Sequence, residues 1–93
     1  PGRSALRARL LVRLAVALAP DVTVNCVAPG LVEGTRMAER VPEETKRNAK
    51  AQAVLGRTAS ADDIAEQALA FCRADTVTGQ VLVVDGGMPV GMR

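Results

Sequence analysis

The sequence predicts an α/β fold in the order helix–strand–helix–helix–strand, with two strands that are parallel and adjacent. Three observations predict it. Leucines near the amino end recur every four residues, which is the spacing of an amphipathic helix. Two short valine-rich runs, Val22–Val27 and Gln80–Val84, have the length and the β-branched content of strands. The long segment between them has helical patterning, and parallel strands need a crossover of that kind.

The first helix is predicted over Pro1–Ala19, beginning once Pro1 and Gly2 are past. Its apolar stripe is expected to face the core. The stripe consists of Leu6, Leu10, Leu14 and Leu18, widened by Leu11 and Ala15. The arginines lie mostly off this stripe and are expected in solvent. Pro20 ends the helix, because it has no N–H to donate and disfavours helical geometry at the residue before it.

The first strand is predicted over Val22–Val27. Its two alternating faces are both mostly apolar, which suits a parallel strand that is covered on both sides. Pro29 and Gly30 are expected to end this strand sharply, and Leu31–Arg40 is expected to be a loop with one short helical turn. In an open α/β sheet, ligands bind just past the carboxyl ends of the strands. This loop is therefore the candidate functional site.

Two further helices follow the loop. Pro42 fits the first position of a helix that should end at Gly56, and the acids after it complement the positive end of the helix dipole. Ser60 with Asp63 three residues later has the form of a capping box, so the next helix begins there and reaches Arg73. A turn then leads into the second strand.

Length and composition limit what the chain is able to build by itself. With 93 residues, the chain is at most one small domain, residues 1–93, because domains most often have about 100–150 residues. It has no Trp, no Tyr and one Phe, so a core of Val, Leu and Ala buries little area per residue. We therefore expect it to pack against something else. The net charge of +2 is too small to predict nucleic-acid binding, and no apolar run predicts a membrane span.

No metal site or acid/base pair is predicted. The chain has no His, and its cysteines, Cys26 and Cys72, lack metal-ligand spacing, which excludes a zinc site. Both are interpreted as reduced, buried cysteines of a cytoplasmic protein. The neighbouring carboxylates Glu43–Glu44 and Asp62–Asp63 are explained by charge at helix starts. Asp85, at a strand end beside two glycines, is expected to satisfy local backbone amides.

Five stretches carry a family resemblance in their order and spacing. They are Val24–Gly30, Gly56–Arg57, Asp63–Ala65, Thr78–Gln80 and Val84–Gly87. Together they resemble the carboxyl-terminal part of a short-chain dehydrogenase/reductase, over nearly the whole chain. The resemblance implies the carboxyl-terminal part of a Rossmann-type doubly wound sheet, incomplete as a domain. It also implies a cytoplasmic homo-oligomer that transfers hydride between NAD or NADP and a small alcohol or carbonyl substrate.

The resemblance assigns the loop after the first strand to the cofactor. Pro29 and Gly30 would shape the turn, and the backbone of Val32 would meet the nicotinamide carboxamide. Thr35 would contact the carboxamide or the phosphates. In the family this threonine comes two residues after the valine, whereas here Glu33–Gly34 intervene and place it one position late. From the residues alone, Pro29 and Gly30 would serve equally well as a strand-to-loop breaker.

The family's catalytic residues have no counterparts in this chain. The family uses a tyrosine, a lysine four residues later and an upstream serine, but the chain contains no tyrosine, and that lysine would fall near Ser4. No Gly-x-Gly-x-x-Gly follows a strand. No catalytic residue is therefore predicted, and the chain alone is expected to be inactive, because it neither anchors nor orients a cofactor. Two functions remain open: a part of an oxidoreductase, or a non-catalytic remnant acting as a small binding or oligomerisation module.

Overall fold

The computed structural model describes residues 2–89 of the chain. Within them, the helices are α1 (Arg3–Leu18), α2 (Arg36–Glu39), α3 (Glu43–Gln52) and α4 (Ala61–Arg73), and the strands are β1 (Cys26–Pro29) and β2 (Val81–Val84). The predicted order is confirmed, with α2 as the short helical turn expected inside the loop. The predicted domain, residues 1–93, extends beyond the described residues at both ends, and Pro1 lies outside them.

The two strands form a parallel pair, as predicted. Cys26 lies opposite Val81, and Pro29 lies opposite Val84. The Cys26 N–H donates to Gln80 O at 2.9 Å, and the Gly30 N–H donates to Val84 O at 3.1 Å. Because donors on a parallel strand alternate, the nitrogen of Pro29 points away from β2. Pro29 is tolerated there, since it has no hydrogen to give to the ladder.

The predicted bounds of the first strand are wrong at both ends. The strand is Cys26–Pro29 rather than Val22–Val27, and Pro29 belongs to it instead of ending it. Residues before Cys26 have no strand to pair with among the described residues, because β2 begins only at Val81. Asn25 is held by the turn before β2 instead. Its side chain donates to Val77 O at 3.1 Å and accepts from the backbone N–H of the residue before β2 at 3.1 Å.

The starts of the helices follow local sequence signals closely. At α4, the Ser60 N–H donates to Asp63 Oδ2 at 2.9 Å and the Asp63 N–H donates to Ser60 Oγ at 3.1 Å, so the predicted capping box is present. Pro42 occupies the cap of α3 rather than its first helical position. The helix ends at Gln52, before the predicted Gly56. It ends early because the next residues donate backbone hydrogen bonds to the Gly86–Gly87 carbonyls after β2.

The core-facing role predicted for the stripe of α1 is wrong for its row of four leucines, which are exposed, and is confirmed at its widened edge, where Leu11 is half-buried and Ala15 is buried. The exposed fractions of Leu6, Leu10, Leu14 and Leu18 are 59%, 56%, 50% and 41%. The helix packs through this edge of the stripe, where Ala15 is 1% exposed. A Cβ added to Gly79 would lie 3.6 Å from the Ala15 Cβ, which shows how closely α1 approaches the turn before β2. Small residues on both sides permit that approach.

The hydrophobic core of the described residues is small. Its buried apolar residues are the alanines at positions 15, 38, 53 and 59, and no large side chain is fully buried. The face of the sheet that bears Val81 and Val83 is open, with these valines 46% and 39% exposed. Cys26 and Pro29 on β1 are exposed as well, so the cover predicted for both faces of the first strand is wrong. Cys26 and Cys72 are free and exposed rather than buried. Within residues 2–89, no helix has the length and apolar character that a bilayer crossing requires.

Candidate functional site

The loop after β1 lies at the carboxyl end of the sheet, where the two strand ends come close together. A Cβ added to Gly30 would lie 2.8 Å from the Asp85 Cβ and 3.3 Å from its Cα, so only glycine fits without displacement. Asp85 is buried, and its Oδ1 accepts from the N–H groups of Gly87 at 3.0 Å and Met88 at 3.1 Å. The expectation that Asp85 satisfies local amides is confirmed. This carboxylate stabilises the turn that closes the end of β2.

A cleft of about 570 Å³ opens beside this loop. Pro29 and Gly30 form part of its wall, and Val81, Val83 and Met88 form another part. Clefts of this size hold small organic ligands, and a mostly apolar lining with a few polar groups is typical of them. Two of the predicted site residues therefore lie on a cleft at the expected edge of the sheet.

The other two predicted residues lie further along the loop. Val32 forms an isolated parallel bridge with Ala59, and the N–H of the residue after Val32 donates to Ala59 O at 3.2 Å. Thr35 Oγ1 donates to Val32 O at 2.8 Å and accepts from the Ala38 N–H at 3.1 Å, which caps α2. The Val32 N–H makes no hydrogen bond to another described residue. The loop thus offers a backbone donor, while its threonine hydroxyl has a structural role.

Gly34 makes this hydroxyl geometry possible. Its φ of +81° lies in the left-handed region, and a Cβ there would meet nothing within 4 Å. The left-handed residue turns the chain so that Thr35 bends back onto the carbonyl of Val32. The resemblance places Thr35 one residue later than the corresponding threonine of the family, and the turn at Gly34 accommodates this additional residue.

An ion pair ties the loop to α3, and sequence reasoning missed it. Lys50 Nζ lies 2.8 Å from Glu33 Oε1, and both side chains are about half exposed, at 51% and 50%. The pKa of the Glu33 carboxyl is lowered from its ordinary 4.5, first by the hydrogen bond from Lys50 and then by the neighbouring Thr58 hydroxyl. Thr58 Oγ1 is buried and makes no hydrogen bond of good geometry within the described residues. No signal in the sequence distinguishes Lys50 from the other charges of α3.

The site contains no proton-transfer pair among the described residues. In residues 2–89, no group of His, Cys, Asp and Glu side chains is arranged to hold a metal ion. Three carboxylates near the loop make local contacts: Asp85 accepts from backbone amides, Glu33 pairs with Lys50, and Glu43 pairs with Lys46 at 3.3 Å. The arrangement can bind a ligand through backbone amides and an apolar wall.

Sequence comparison finds similarity to a segment of several reductases. A family described as enoyl-(acyl carrier protein) reductase matches residues 5–89. The chain is 45% identical over 78 residues to a 3-oxoacyl-[acyl-carrier-protein] reductase of Aquifex aeolicus, covering 81% of this chain and 31% of that protein. It is 38% identical over 73 residues to the enzyme of the same description from Thermotoga maritima, covering 75% of this chain and 29% of that protein. The chain thus spans less than a third of these two relatives.

Solved structures agree with the sequence comparison. A 7α-hydroxysteroid dehydrogenase complexed with NADH and 7-oxo glycochenodeoxycholic acid superposes with a TM-score of 0.81 at 29% identity, covering 90% of this chain and 34% of that one. A small-chain dehydrogenase in complex with NADPH gives 0.74 at 30% identity, covering 89% and 39%. A hydroxysteroid dehydrogenase from Escherichia coli gives 0.83 at 28% identity, covering 91% and 37%. The helices and the parallel strand pair therefore form one segment of a larger α/β domain in these proteins.

Proposed function

Because this chain belongs to the short-chain dehydrogenase/reductase family, we propose that it forms the carboxyl-terminal part of an NAD(P)-dependent oxidoreductase. The whole enzyme moves a hydride between the cofactor and a small alcohol or carbonyl compound. The observation that carries the proposal is the loop over residues 29–35. Pro29 and Gly30 lie on a cleft at the carboxyl end of the sheet, and the Val32 N–H makes no hydrogen bond to another described residue. Binding at that edge is the rule for open α/β sheets.

The residues of the loop fit a nicotinamide group. A carboxamide presents one acceptor and one donor, so it needs a backbone donor and a backbone acceptor side by side. The Val32 N–H supplies the donor. The Val32 carbonyl oxygen supplies the acceptor, because the hydrogen bond from Thr35 uses only one of its two lone pairs. When bound, the nicotinamide supplies the carbon that gives or takes the hydride. Pro29 and Gly30 hold the strand end rigid, and Thr35 holds the Val32 peptide in place.

The described residues position a ligand but do not supply the proton. The sequence contains no tyrosine, and two carboxylates next to the loop, Glu33 and Glu43, are paired with lysines. General acid–base catalysis needs a titratable group within hydrogen-bond reach of the reacting oxygen. We therefore propose that the chain by itself is inactive and that the proton donor and the phosphate-binding loop belong to the remaining part of the enzyme. The free cysteines suit a reducing, cytoplasmic location.

A second candidate function is a non-catalytic binding or oligomerisation module. The specific observation that favours it is the small core, since the described buried apolar residues are alanines and large apolar side chains on α1 are exposed. Apolar surface of this kind needs a partner to cover it. On this hypothesis the chain acts by association with other protein rather than by binding a cofactor.

A chimera tests the first function. Residues 5–89 of this chain would replace the matching carboxyl-terminal segment of the Aquifex reductase, to which the chain is 45% identical. We expect nicotinamide-dependent reduction of a carbonyl substrate. In the chimera, Val32→Pro removes the amide hydrogen and should raise KM for the cofactor, whereas the control Val32→Ile keeps the backbone and should not. A folded chimera without activity would contradict the proposal.

The isolated chain gives the complementary measurement. Titration of the 93-residue chain with NADH or NADPH, followed by cofactor fluorescence, should show no saturable binding at micromolar concentrations. The physical reason is that no glycine-rich loop is present to hold the pyrophosphate, which anchors the dinucleotide in Rossmann-type folds. Saturable micromolar binding would show that these residues bind the cofactor without the rest of the fold.

A further inference from the structure

Glu33 connects the loop over residues 29–35 with helix α3 and with the segment before α4. Its Oε1 lies 2.8 Å from Lys50 Nζ, and its backbone N–H donates to Ala59 O at 3.2 Å. It directly follows Val32, whose N–H is the proposed donor to the nicotinamide. We propose that Glu33 and Lys50 form a positioning pair, which holds the backbone at Val32 in the orientation that the cofactor requires. This role rests on the proposed function.

Backbone contacts alone hold this part of the loop weakly. The bridge between Val32 and Ala59 is isolated, so no neighbouring ladder among the described residues supports its hydrogen bond. Glu33 is exposed and Val32 is half-buried, so the bond lies near water. Exposed backbone hydrogen bonds with little apolar packing open locally at a low free energy. A side-chain contact of Glu33 therefore changes how often the bridge is open.

Helix α3 is positioned by polar contacts rather than by an apolar face. None of its residues is buried. The segment after its carboxyl end is held by backbone hydrogen bonds to the Gly86–Gly87 carbonyls. Another lysine of the helix, Lys46, pairs with Glu43 in the same helix. Among the described residues, the contact between Glu33 and Lys50 is therefore the ion pair that joins α3 to the loop.

The buried Thr58 hydroxyl lies beside the same carboxylate. Thr58 is 9% exposed, and its Oγ1 makes no hydrogen bond of good geometry within the described residues. The Lys50 ammonium first, and then this hydroxyl, lower the pKa of Glu33, because both favour the charged carboxylate. A buried hydroxyl without a good partner is unfavourable, so a turn of Glu33 towards Thr58 is favoured. Since Thr58 precedes Ala59, the side chain and the backbone of Glu33 draw the loop to one segment.

Amide hydrogen exchange of the full 93-residue chain, followed by NMR, tests the positioning directly. Lys50→Gln should lower the protection of the Glu33 N–H by about two- to five-fold, the effect expected of a half-exposed ion pair. The Gly30 N–H, which donates to Val84 O in the sheet, should keep its protection and reports on the fold as a whole. Lys46→Gln is the matched control and should stay close to the wild type, because Lys46 pairs within α3.

Exchanging the two charges separates a pair from two independent side chains. Glu33→Lys places two lysines together, and Lys50→Glu places two carboxylates together, so each change alone should lower the protection of the N–H of residue 33. The double variant restores a pair of opposite charges and should return the protection towards the wild-type value. Protection factors are compared rather than rates, because the side chain of residue 33 changes the intrinsic exchange rate.

The chimera with the Aquifex reductase measures the consequence for the cofactor. Lys50→Gln should raise KM for the cofactor by about two- to five-fold and leave kcat unchanged, because a contact from Val32 to the nicotinamide carboxamide is made equally before and during hydride transfer. The double charge exchange should restore this KM. A lysine that bound the cofactor itself would not be replaced by a glutamate in this way, so the restoration identifies a positioning role.

Four results would overturn the proposal. They are unchanged protection of the Glu33 N–H in Lys50→Gln, an equal loss of protection at Gly30, no restoration by the double charge exchange, and an unchanged cofactor KM in an active chimera that carries Lys50→Gln. A folded but inactive chimera contradicts the proposed function instead. The exchange measurements on the 93-residue chain then still decide whether Glu33 and Lys50 position the loop.

Discussion

Three glycines allow backbone strain and steric overlap to be separated by single substitutions to alanine. At Gly34, φ is +81° and an added Cβ would meet nothing within 4 Å, so Gly34→Ala introduces strain alone. At Gly30 the added Cβ would lie 2.8 Å from the Asp85 Cβ without a left-handed φ, so Gly30→Ala introduces overlap alone. Gly86 combines both, because its φ is +74° and an added Cβ would overlap the carbonyl oxygen of Arg57.

The expected losses of unfolding free energy follow from these differences. Forcing a non-glycine residue into the left-handed region costs about 1–2 kcal/mol, which is the expectation for Gly34→Ala. Inserting a methyl group into a filled space costs about 1–3 kcal/mol, the expectation for Gly30→Ala. Gly86→Ala should cost about 2–5 kcal/mol, because strain and overlap act together there. A loss of that size is a large share of the stability of a small domain.

Urea unfolding at a fixed protein concentration, followed by circular dichroism at 222 nm, would rank the variants. We expect the midpoint to fall least for Gly34→Ala and most for Gly86→Ala. Gly56→Ala is a matched second test of strain alone, since φ there is +69° and an added Cβ would meet nothing within 4 Å. If Gly86→Ala were no more destabilising than Gly34→Ala, the close approach between the turn after β2 and Arg57 would be refuted.

Three further predictions concern the loop, a helix cap and the fold as a whole. Lys50→Gln should raise the lowered pKa of Glu33 towards its ordinary 4.5, as seen by NMR titration of the carboxyl carbon, and Lys46→Gln should change it less. The sign follows from the lowered pKa: the Glu33–Lys50 contact is complete above pH 4.5 and is lost as the pH falls through the folded-state pKa. Ser60→Ala should destabilise the chain by about 1 kcal/mol through loss of the cap, and should raise the lowered pKa of Asp63 only in part, because the main cause of that lowering is the hydrogen bond from the Ser60 backbone N–H, which alanine keeps. The thermal melt of the isolated chain should depend on concentration or be broad, because its core is small, and a sharp, concentration-independent melt of a monomer would contradict this.

Local signals in the sequence predicted the ends of elements and the turns. The Ser60 capping box, the exit of α1 at Pro20 and the bonding of Asp85 to nearby amides depend on residues within a few positions of one another. Such contacts form whatever the rest of the chain does, because the partners are held close by the covalent chain. For the same reason the loop with its single helical turn was predictable, although its contacts were not.

Interactions between distant segments could not be predicted in the same way. The register of β1 depends on where β2 begins, so the valines before Cys26 stay outside the ladder despite their strand-like composition. The Glu33–Lys50 pair depends on how α3 lies against the loop.

The sequence by itself determined the order of elements, the parallel strand pair and the family, because these follow from periodicity, caps and motif spacing. Only the tertiary structure decided which face of α1 is buried. Periodicity shows that a helix has an apolar side, but burial depends on what packs against it, and in the described residues the edge of the stripe at Ala15 meets the turn at Gly79 while the row of four leucines stays exposed. The site follows the same division: Pro29 and Gly30 were recognisable as a strand end, and the structure alone showed that Thr35 bonds the carbonyl of Val32.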